Sequence, residues 1–333
     1  CSSDLIEDGL TSNNVLCIRK GYDGNLWIAV WGGYICKINP KTFQITQVPF
    51  KEIEYAFTTC KVVSPTKDGE VWVATSGAGI YKMNPAGKWE NIVMAADTGS
   101  LKKSPDTWME DIIQSPTGTK WAVSSRTVWR FSQLEFHSVF PDIDSHPQHS
   151  PLVMLQGACD NDGNLYVVSN QGVLKFSEDG NSYEWLDFLP NGEYQSIIMD
   201  KNGRFWTAGS NGVISFNVKE KSYSVIELEE NQQTRNYFTC RASFIDSKQN
   251  IYFGSAEGFV MFNPKKLNRS ETIDYLKLSE LTVMGEKQRI GSDLMPKRLS
   301  EIESLKLNYN QTSITVGVDI IDFSGLNDVE LSY

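Results

Sequence analysis

Along most of this chain apolar and polar positions alternate in short runs, and glycine-containing turns separate the runs. A period of two marks half-buried β-strands, and no long stretch keeps the 3.6-residue period of an amphipathic helix. The first such unit shows the grammar. The apolar run Val15 to Ile18 leads to Asp23-Gly24-Asn25, a second strand beginning at the aromatic Trp27, and a Gly32-Gly33 turn. A third strand, Tyr34 to Ile38, follows, then an Asn39-Pro40 stop and a fourth apolar segment from Phe43 to Val48. Asp-Gly suits the left-handed φ of a two-residue hairpin, and Pro closes a strand because it cannot donate to the ladder.

The unit repeats. Aligned segments read DGNLWIAVWGGYICKINP from Asp23, DGEVWVATSGAGIYKMNP from Asp68, TGTKWAVSSRTVWRF from Thr117, DGNLYVVSNQGVLKF from Asp162, NGRFWTAGSNGVISF from Asn202 and KQNIYFGSAEGFVMFNP from Lys248. Their anchoring aromatics are Trp27, Trp72, Trp121, Tyr166, Trp206 and Tyr252, 40 to 49 residues apart. Four short antiparallel strands per repeat of this length describe one blade of a β-propeller, the aromatic filling the space between neighbouring sheets. A β-helix coil is much shorter, and a row of sandwiches would not repeat its turn chemistry. The reading is all-β: a β-propeller of four-stranded blades over 1–267, with six repeats visible that either close as a six-bladed ring or form part of a seven-bladed one. The third copy is irregular, replacing its turn glycines with Ser125-Arg126-Thr127. The sixth has no clear outer strand, so its edge is expected to be open or filled from the N-terminus.

After Pro264 the repeat stops. Strand-like runs at Leu278 to Val283, Ser304 to Leu307 and Ser313 to Ile320 predict the start of an immunoglobulin-like β-sandwich over 268–333, cut off before two sheets can face each other.

Composition narrows the function. Lys plus Arg number 31 against 41 Asp plus Glu, a formal charge of −10, which disfavours a nucleic-acid backbone as partner. No apolar run reaches the length of a membrane helix. None of the six cysteines forms C-x-x-C, and Cys17, Cys36, Cys60 and Cys240 lie in apolar strand-like runs, where a free thiol behaves as a small hydrophobe. Cys1 is either the acylated first residue of a lipoprotein or an arbitrary start.

The blade pattern, with GLTSNNVLCI at Gly9 to Ile18 followed by DGNLWIAV and Gly-Gly, resembles the two-component regulator propeller repeat of periplasmic sensors in hybrid two-component systems. The tail, with LKLNYNQTSITVGVDIIDFSG at Leu305 to Gly325, resembles the triple-tyrosine (YYY) domain that follows such propellers. The resemblance implies a periplasmic sensor region of a Gram-negative inner-membrane protein that recognises an oligosaccharide or other small ligand. It also implies a homodimer, an upstream propeller of the same protein, a membrane helix outside this chain, and neither cofactor nor catalysis in this region.

Searching the residues for chemistry gives little that argues for an enzyme. His146 and His149, with Asp142 and Asp144, are too few for a preorganised metal site, and His137 stands apart. Asp160-Asn-Asp-Gly-Asn164 opens like a calcium loop but lacks the later Glu and falls at the blade's hairpin turn. There is no G-x-S-x-G, P-loop or G-x-G-x-x-G after a strand. Binding is the alternative. In a propeller the loops between blades and between second and third strands open on one face. They hold Asn13, Asn14, Trp31, Tyr55, Trp108, Arg126, Tyr194, Arg235, Asn236 and Tyr237, aromatics that stack on sugar rings and polar groups that bond their substituents. The competing functions are a lyase- or lactonase-type propeller enzyme and a lipoprotein scaffold.

Overall fold

The computed structural model describes residues 9–32, 34–50, 59–92, 109–125, 127–131, 136–139, 152–226, 238–256, 258–267, 275–302 and 304–321. Two units compose it, Cys1–Pro264 and Lys265–Tyr333.

In the first unit six antiparallel sheets follow one another in chain order, the first five of four strands and the sixth of three. Their inner strands are Val15–Lys20, Thr59–Pro65, Met109–Gln114, Met154–Cys159, Tyr194–Met199 and Phe238–Ile245, each packed against the inner strand of the next sheet. These sheets are the blades. Apolar side chains fill the space between them. Trp27, Ala29 and Ile35 of blade 1 meet Val63, Val71 and Val73 of blade 2, whose opposite face, Trp72, Ala74 and Ile80, packs on Ile112, Ala122 and Phe131 of blade 3. The sixth blade ends at Gly258–Phe262, and no fourth strand pairs with it among the described residues.

The repeated aromatics occupy one register position. Trp27 pairs with Arg19, Trp72 with Ser64, Trp121 with Ile113, Tyr166 with Ala158, Trp206 with Ile198 and Tyr252 with Phe244. The first five are buried and Tyr252 half-buried. On the third strand opposite, Lys37 lies 5.4 Å from the Trp27 ring centroid and Arg130 6.0 Å from that of Trp121.

The hairpin before each aromatic is longer than the two-residue turn expected. Lys20 pairs with Leu26, so five residues form the connection, and Gly24 takes the left-handed φ of +81° at the end of a turn closed by its N–H on the Gly21 carbonyl (3.1 Å). In the fourth to sixth blades an Asp opening this turn accepts two backbone N–H groups and the polar tip of the aromatic. Asp160 takes Asp162 N, Asn164 N and Tyr166 Oη, Asp200 takes Asn202 N, Arg204 N and Trp206 Nε1, and Asp246 takes Lys248 N, Asn250 N and Tyr252 Oη. The Asp160 segment is therefore a turn whose carboxylate is already engaged. In blade 1 that position is Gly21, and a Cβ there would lie 2.3 Å from the Asp23 carboxylate, which has moved in to accept Trp27 Nε1 instead. Glu70 serves Trp72 in blade 2 at 2.8 Å. Among the described residues blade 3 supplies no acceptor, and Trp121 Nε1 is buried without a hydrogen-bond partner there.

These turns make acid sensitivity predictable. Asp23, Asp68 and Asp246 sit below the ordinary carboxylate range; desolvation acts against them, but the hydrogen bonds and cations on the ionised form outweigh it. Stabilisation from such a group is complete above the unfolded value of about 4 and is lost as pH falls through the lower folded value. Asp246→Asn should thus lower the melting temperature at pH 7, and the gap from the parent should close below about pH 4. A gap that persists unchanged at pH 3 would refute this account.

Five free cysteines are described. Cys36, Cys60 and Cys159 are buried and Cys17 and Cys240 half-buried, as expected of small apolar fillers. Burial pushes the Cys60 thiol up to about 12. Cys1 lies outside the described residues.

The second unit holds one three-stranded sheet, Tyr275–Val283 at its centre between Glu286–Lys287 and Ile314–Ile321. Leu281, Val283 and Met295 form its core, with Leu305 and Leu307 packed against it. Ser304 to Leu307 was expected as a strand; it contributes those leucines without joining the ladder. A second facing sheet is not found among the described residues.

Candidate ligand-binding site

Of the expected loop-face residues, Trp31 and its neighbours are where the propeller geometry puts them. Trp31 is 58% exposed at the turn between the second and third strands of blade 1, and its N–H donates to the Asn14 carbonyl (2.9 Å). That bond ties the turn to the segment entering the blade, where Asn13 and Asn14 are exposed. At the same turn position the next four blades carry Ser76, Ser125, Asn170 and Ser210, and the sixth Ala256. Asn170 and Ser210 make the same backbone tie, to Val153 and Glu193. A large exposed ring is thus not needed to build this turn. Tyr34, 53% exposed, stands beside it, its ring 3.3 Å from where a Cβ on Gly32 would project.

Tyr194 is a correction. It opens the inner strand of blade 5, is 1% exposed, and donates its hydroxyl to the Pro190 carbonyl at 2.5 Å. Packed with Ile197, Phe205 and Phe216, it is a core residue with no face to offer a sugar. Tyr55, Trp108, Arg126, Arg235, Asn236 and Tyr237 lie outside the described residues, as do His146 and His149. Among the described residues no three His, Cys, Asp or Glu side chains group to hold a metal ion.

A second constellation, not read from the sequence, lies on the inner strands. Each inner strand carries a register irregularity near its start. The residues passed over are Leu16, Lys61, Glu110, Leu155 and Gln195, and in blade 6 the longer stretch between Phe238 and Ser243. An extra residue in one strand re-aims its side chain. Here it brings charges together: Lys61 Nζ and Arg241 Nη1 each lie 2.5 Å from a carboxylate oxygen of Glu110, and Arg241 Nη1 also donates to the Glu110 carbonyl (3.2 Å). Blades 2, 3 and 6 thereby meet across the ring. One residue on, Asp111 is fully buried, accepts Gly157 N–H of blade 4 (3.2 Å), and pairs with Arg19 of blade 1 at 3.0 Å. Gln156 continues the pattern, accepting Ile197 N–H of blade 5 and donating to Ser243 of blade 6. Polar side chains thus satisfy inner-strand groups of neighbouring blades that no sheet pairs.

Burial pushes the Asp111 carboxyl above the ordinary carboxylate range, against the pull of Arg19, the Gly157 N–H and Arg241. Burial draws Arg19 down, but the Asp111 charge and Cys17 outweigh it, so its pKa ends raised. The signal for this cluster was visible as MEDIIQ at Met109 to Gln114, acidic residues in an otherwise apolar strand. What joins them to Arg241, 131 residues on, is the circular order of the blades.

Against known proteins, residues 9–32 match the two component regulator propeller family. In fold it is similar to the extracellular domain of a hybrid two-component system from B. thetaiotaomicron, with a TM-score of 0.66 and 21% identity over 93% of this chain and 42% of that one. A second such domain from the same organism matches at a TM-score of 0.57 and 19% identity, over 93% of this chain and 41% of the other. A catalytically inactive virginiamycin B lyase from Staphylococcus aureus matches at 0.57 and 15% identity, over 76% of this chain and 86% of the lyase. These likenesses establish the β-propeller fold. In sequence the chain is 20% identical over 160 residues to a histidine kinase from Formosa agariphila, covering 46% of this chain and 12% of the kinase. The chain thus spans under half the length of the two-component relatives it matches. No helix among the described residues is long and apolar enough to cross a membrane.

Proposed function

We propose that this chain is the extracytoplasmic, non-catalytic sensing region of a hybrid two-component regulator, and that its propeller recognises an oligosaccharide on the loop face bearing Trp31. The observation that carries the reading is the match of residues 9–32 to the two component regulator propeller family, in the first of six successive blades. Trp31, with Tyr34 and the Asn13 and Asn14 amides, offers the stacking surface and hydrogen-bonding edge that sugar rings require. The signal passes through the unit Lys265–Tyr333 toward a membrane segment outside this chain, as a shift between two arrangements of a periplasmic dimer.

Calorimetry against a panel of neutral and acidic oligosaccharides tests this. Trp31→Ala should weaken binding of the best ligand about tenfold, the worth of one stacked ring, with the melting temperature unchanged because the ring packs no core. Binding that is indifferent to Trp31→Ala moves the site elsewhere. A lyase reading rests on the shared fold alone. Elimination or hydrolysis by the purified chain, abolished by changing His146 or His149, would establish it instead.

A further inference from the structure

The first five blades set an internal standard for the sixth. Each turns the face bearing its repeated aromatic toward the blade that follows. On that face the residue two positions after the aromatic pairs with an apolar residue of the third strand: Ala29 with Ile35, Ala74 with Ile80, Val123 with Val128, Val168 with Val173 and Ala208 with Val213. All five third-strand residues are at most 1% exposed. The first four lie in clusters with apolar residues of the next blade.

In blade 6 the equivalent pair is Gly254 and Phe259, and Phe259 is 65% exposed. Phe244, 59% exposed, and Met261, 44% exposed, flank Tyr252 in one register row of the same face. The Phe244 and Phe259 ring centroids lie 6.0 and 5.9 Å from that of Tyr252. Large apolar side chains that are contiguous and open to water mark a contact surface. Here the surface is the one that five other blades bury.

A closed ring of six would cover this face with blade 1. The free face of blade 1, opposite the one on blade 2, holds Ile28 and Cys36 packed with Leu10, and Ile18 in register with them. Ile18 is 56% exposed. Stacked blades bring their inner strands together, so Ile18 and Phe244, both on inner strands, would shield each other if blade 6 lay on blade 1. Neither is shielded. A second copy offering the same face about a two-fold would set Phe244 and Phe259 against themselves, whereas the contacts within this propeller join unlike faces. An aromatic-bearing face meets one carrying Val63, Val71 and Val73 in blade 2, or Ile197, Phe205 and Ile214 in blade 5.

We propose that the exposed face of blade 6 is the docking surface for a seventh blade of the same protein, supplied by polypeptide outside this chain and inserted between blades 6 and 1. The partner is a four-stranded sheet whose entering face is aliphatic, as in blades 2 and 5. This chain covers 42% of the extracellular domain it resembles and 12% of the kinase, so such relatives carry polypeptide beyond the matched part. The assignment is independent of what ligand the propeller senses.

Hydroxyl-radical footprinting read by mass spectrometry tests this on the 333-residue chain and on the complete gene product. In the chain alone Phe244, Phe259 and Met261 should be oxidised readily. In the complete product their labelling should fall at least about tenfold, because a close-packed interface excludes the reagent, while Trp31 and Tyr34 stay labelled in both. Deleting the adjoining blade repeat should restore the labelling, with Trp206 protected throughout as the sign that the remaining blades are folded. Phe259→Ser should lower the melting temperature of the complete product and leave that of the 333-residue chain unchanged. Equal labelling of the three residues in both forms overturns the proposal, as does a gene product with no further blade repeat, or protection that survives deletion of that repeat. Protection already present in the 333-residue chain, and lost on dilution together with a dimer seen in sedimentation, also overturns it by assigning the face to a second copy.

Discussion

Glu110→Ala should destabilise the propeller by about 3–5 kcal/mol, because it removes the carboxylate that Lys61 of blade 2 and Arg241 of blade 6 share. For a unit of this size that is a drop of roughly 6–20 °C in melting temperature. Glu110 is 8% exposed, and both its carboxylate oxygens are in use, one on Lys61 and one on Arg241. The loss is mainly the cost of stranding Arg241 in partial burial, not the intrinsic worth of the pairs. That distinction is testable. Replacing all three by methionine removes the charges together, and such exchanges of a buried ionic triad for apolar side chains are commonly neutral or stabilising. Thermal melts of Glu110→Ala and the triple variant should therefore diverge in opposite directions from expectation by contact counting. A triple variant less stable than Glu110→Ala would show that the ionic cluster itself holds blades 2, 3 and 6 together.

How much of this was legible beforehand divides along a physical line. The blades were legible because one unit is written six times: the aromatic, the turn glycine and the strand alternation are local signals, and repetition averages out their individual weakness. The location of Trp31 at an exposed turn was legible for the same reason, since blade alignment sets it against Ser76, Ser125, Asn170 and Ser210. Tyr194 was misplaced because it stands at the boundary between an inter-blade loop and an inner strand. A shift of one residue there exchanges solvent for core. The turn length was not legible because Asp-Gly alone suits a two-residue hairpin, whereas here Gly24 ends a turn begun at Gly21 within the connection that Lys20 and Leu26 close. The axial cluster was legible only as the acidic pair Glu110 and Asp111 in an otherwise apolar strand. It depends on register irregularities that leave no residue signature of their own and on blades 3 and 6 facing each other, a relation that circular order creates and linear sequence hides.

The repeated aromatic offers the other large effect, and blade 3 offers its internal control. Trp206→Ala should cost about 3–5 kcal/mol, since the ring is buried between blades 5 and 6, 5.3 Å from Phe262, and its removal leaves a cavity there. Its indole N–H also donates to Asp200 at 3.0 Å, a carboxylate that the same turn uses to hold Asn202 and Arg204. Trp121 is equally buried, but among the described residues its Nε1 has no partner. Phenylalanine at either position removes comparable volume, so the two changes differ mainly in the hydrogen bond. Trp206→Phe should then be more damaging than Trp121→Phe by about 1.5–3 kcal/mol, the range for a bond to a charged acceptor. Combined with Asp200→Ala, Trp206→Phe should cost less than the sum of the two single changes, because the bond between these side chains can be lost only once. Equal costs for the two phenylalanine variants would mean that the turn aspartate serves the backbone alone and that the aromatic of each blade is held by packing.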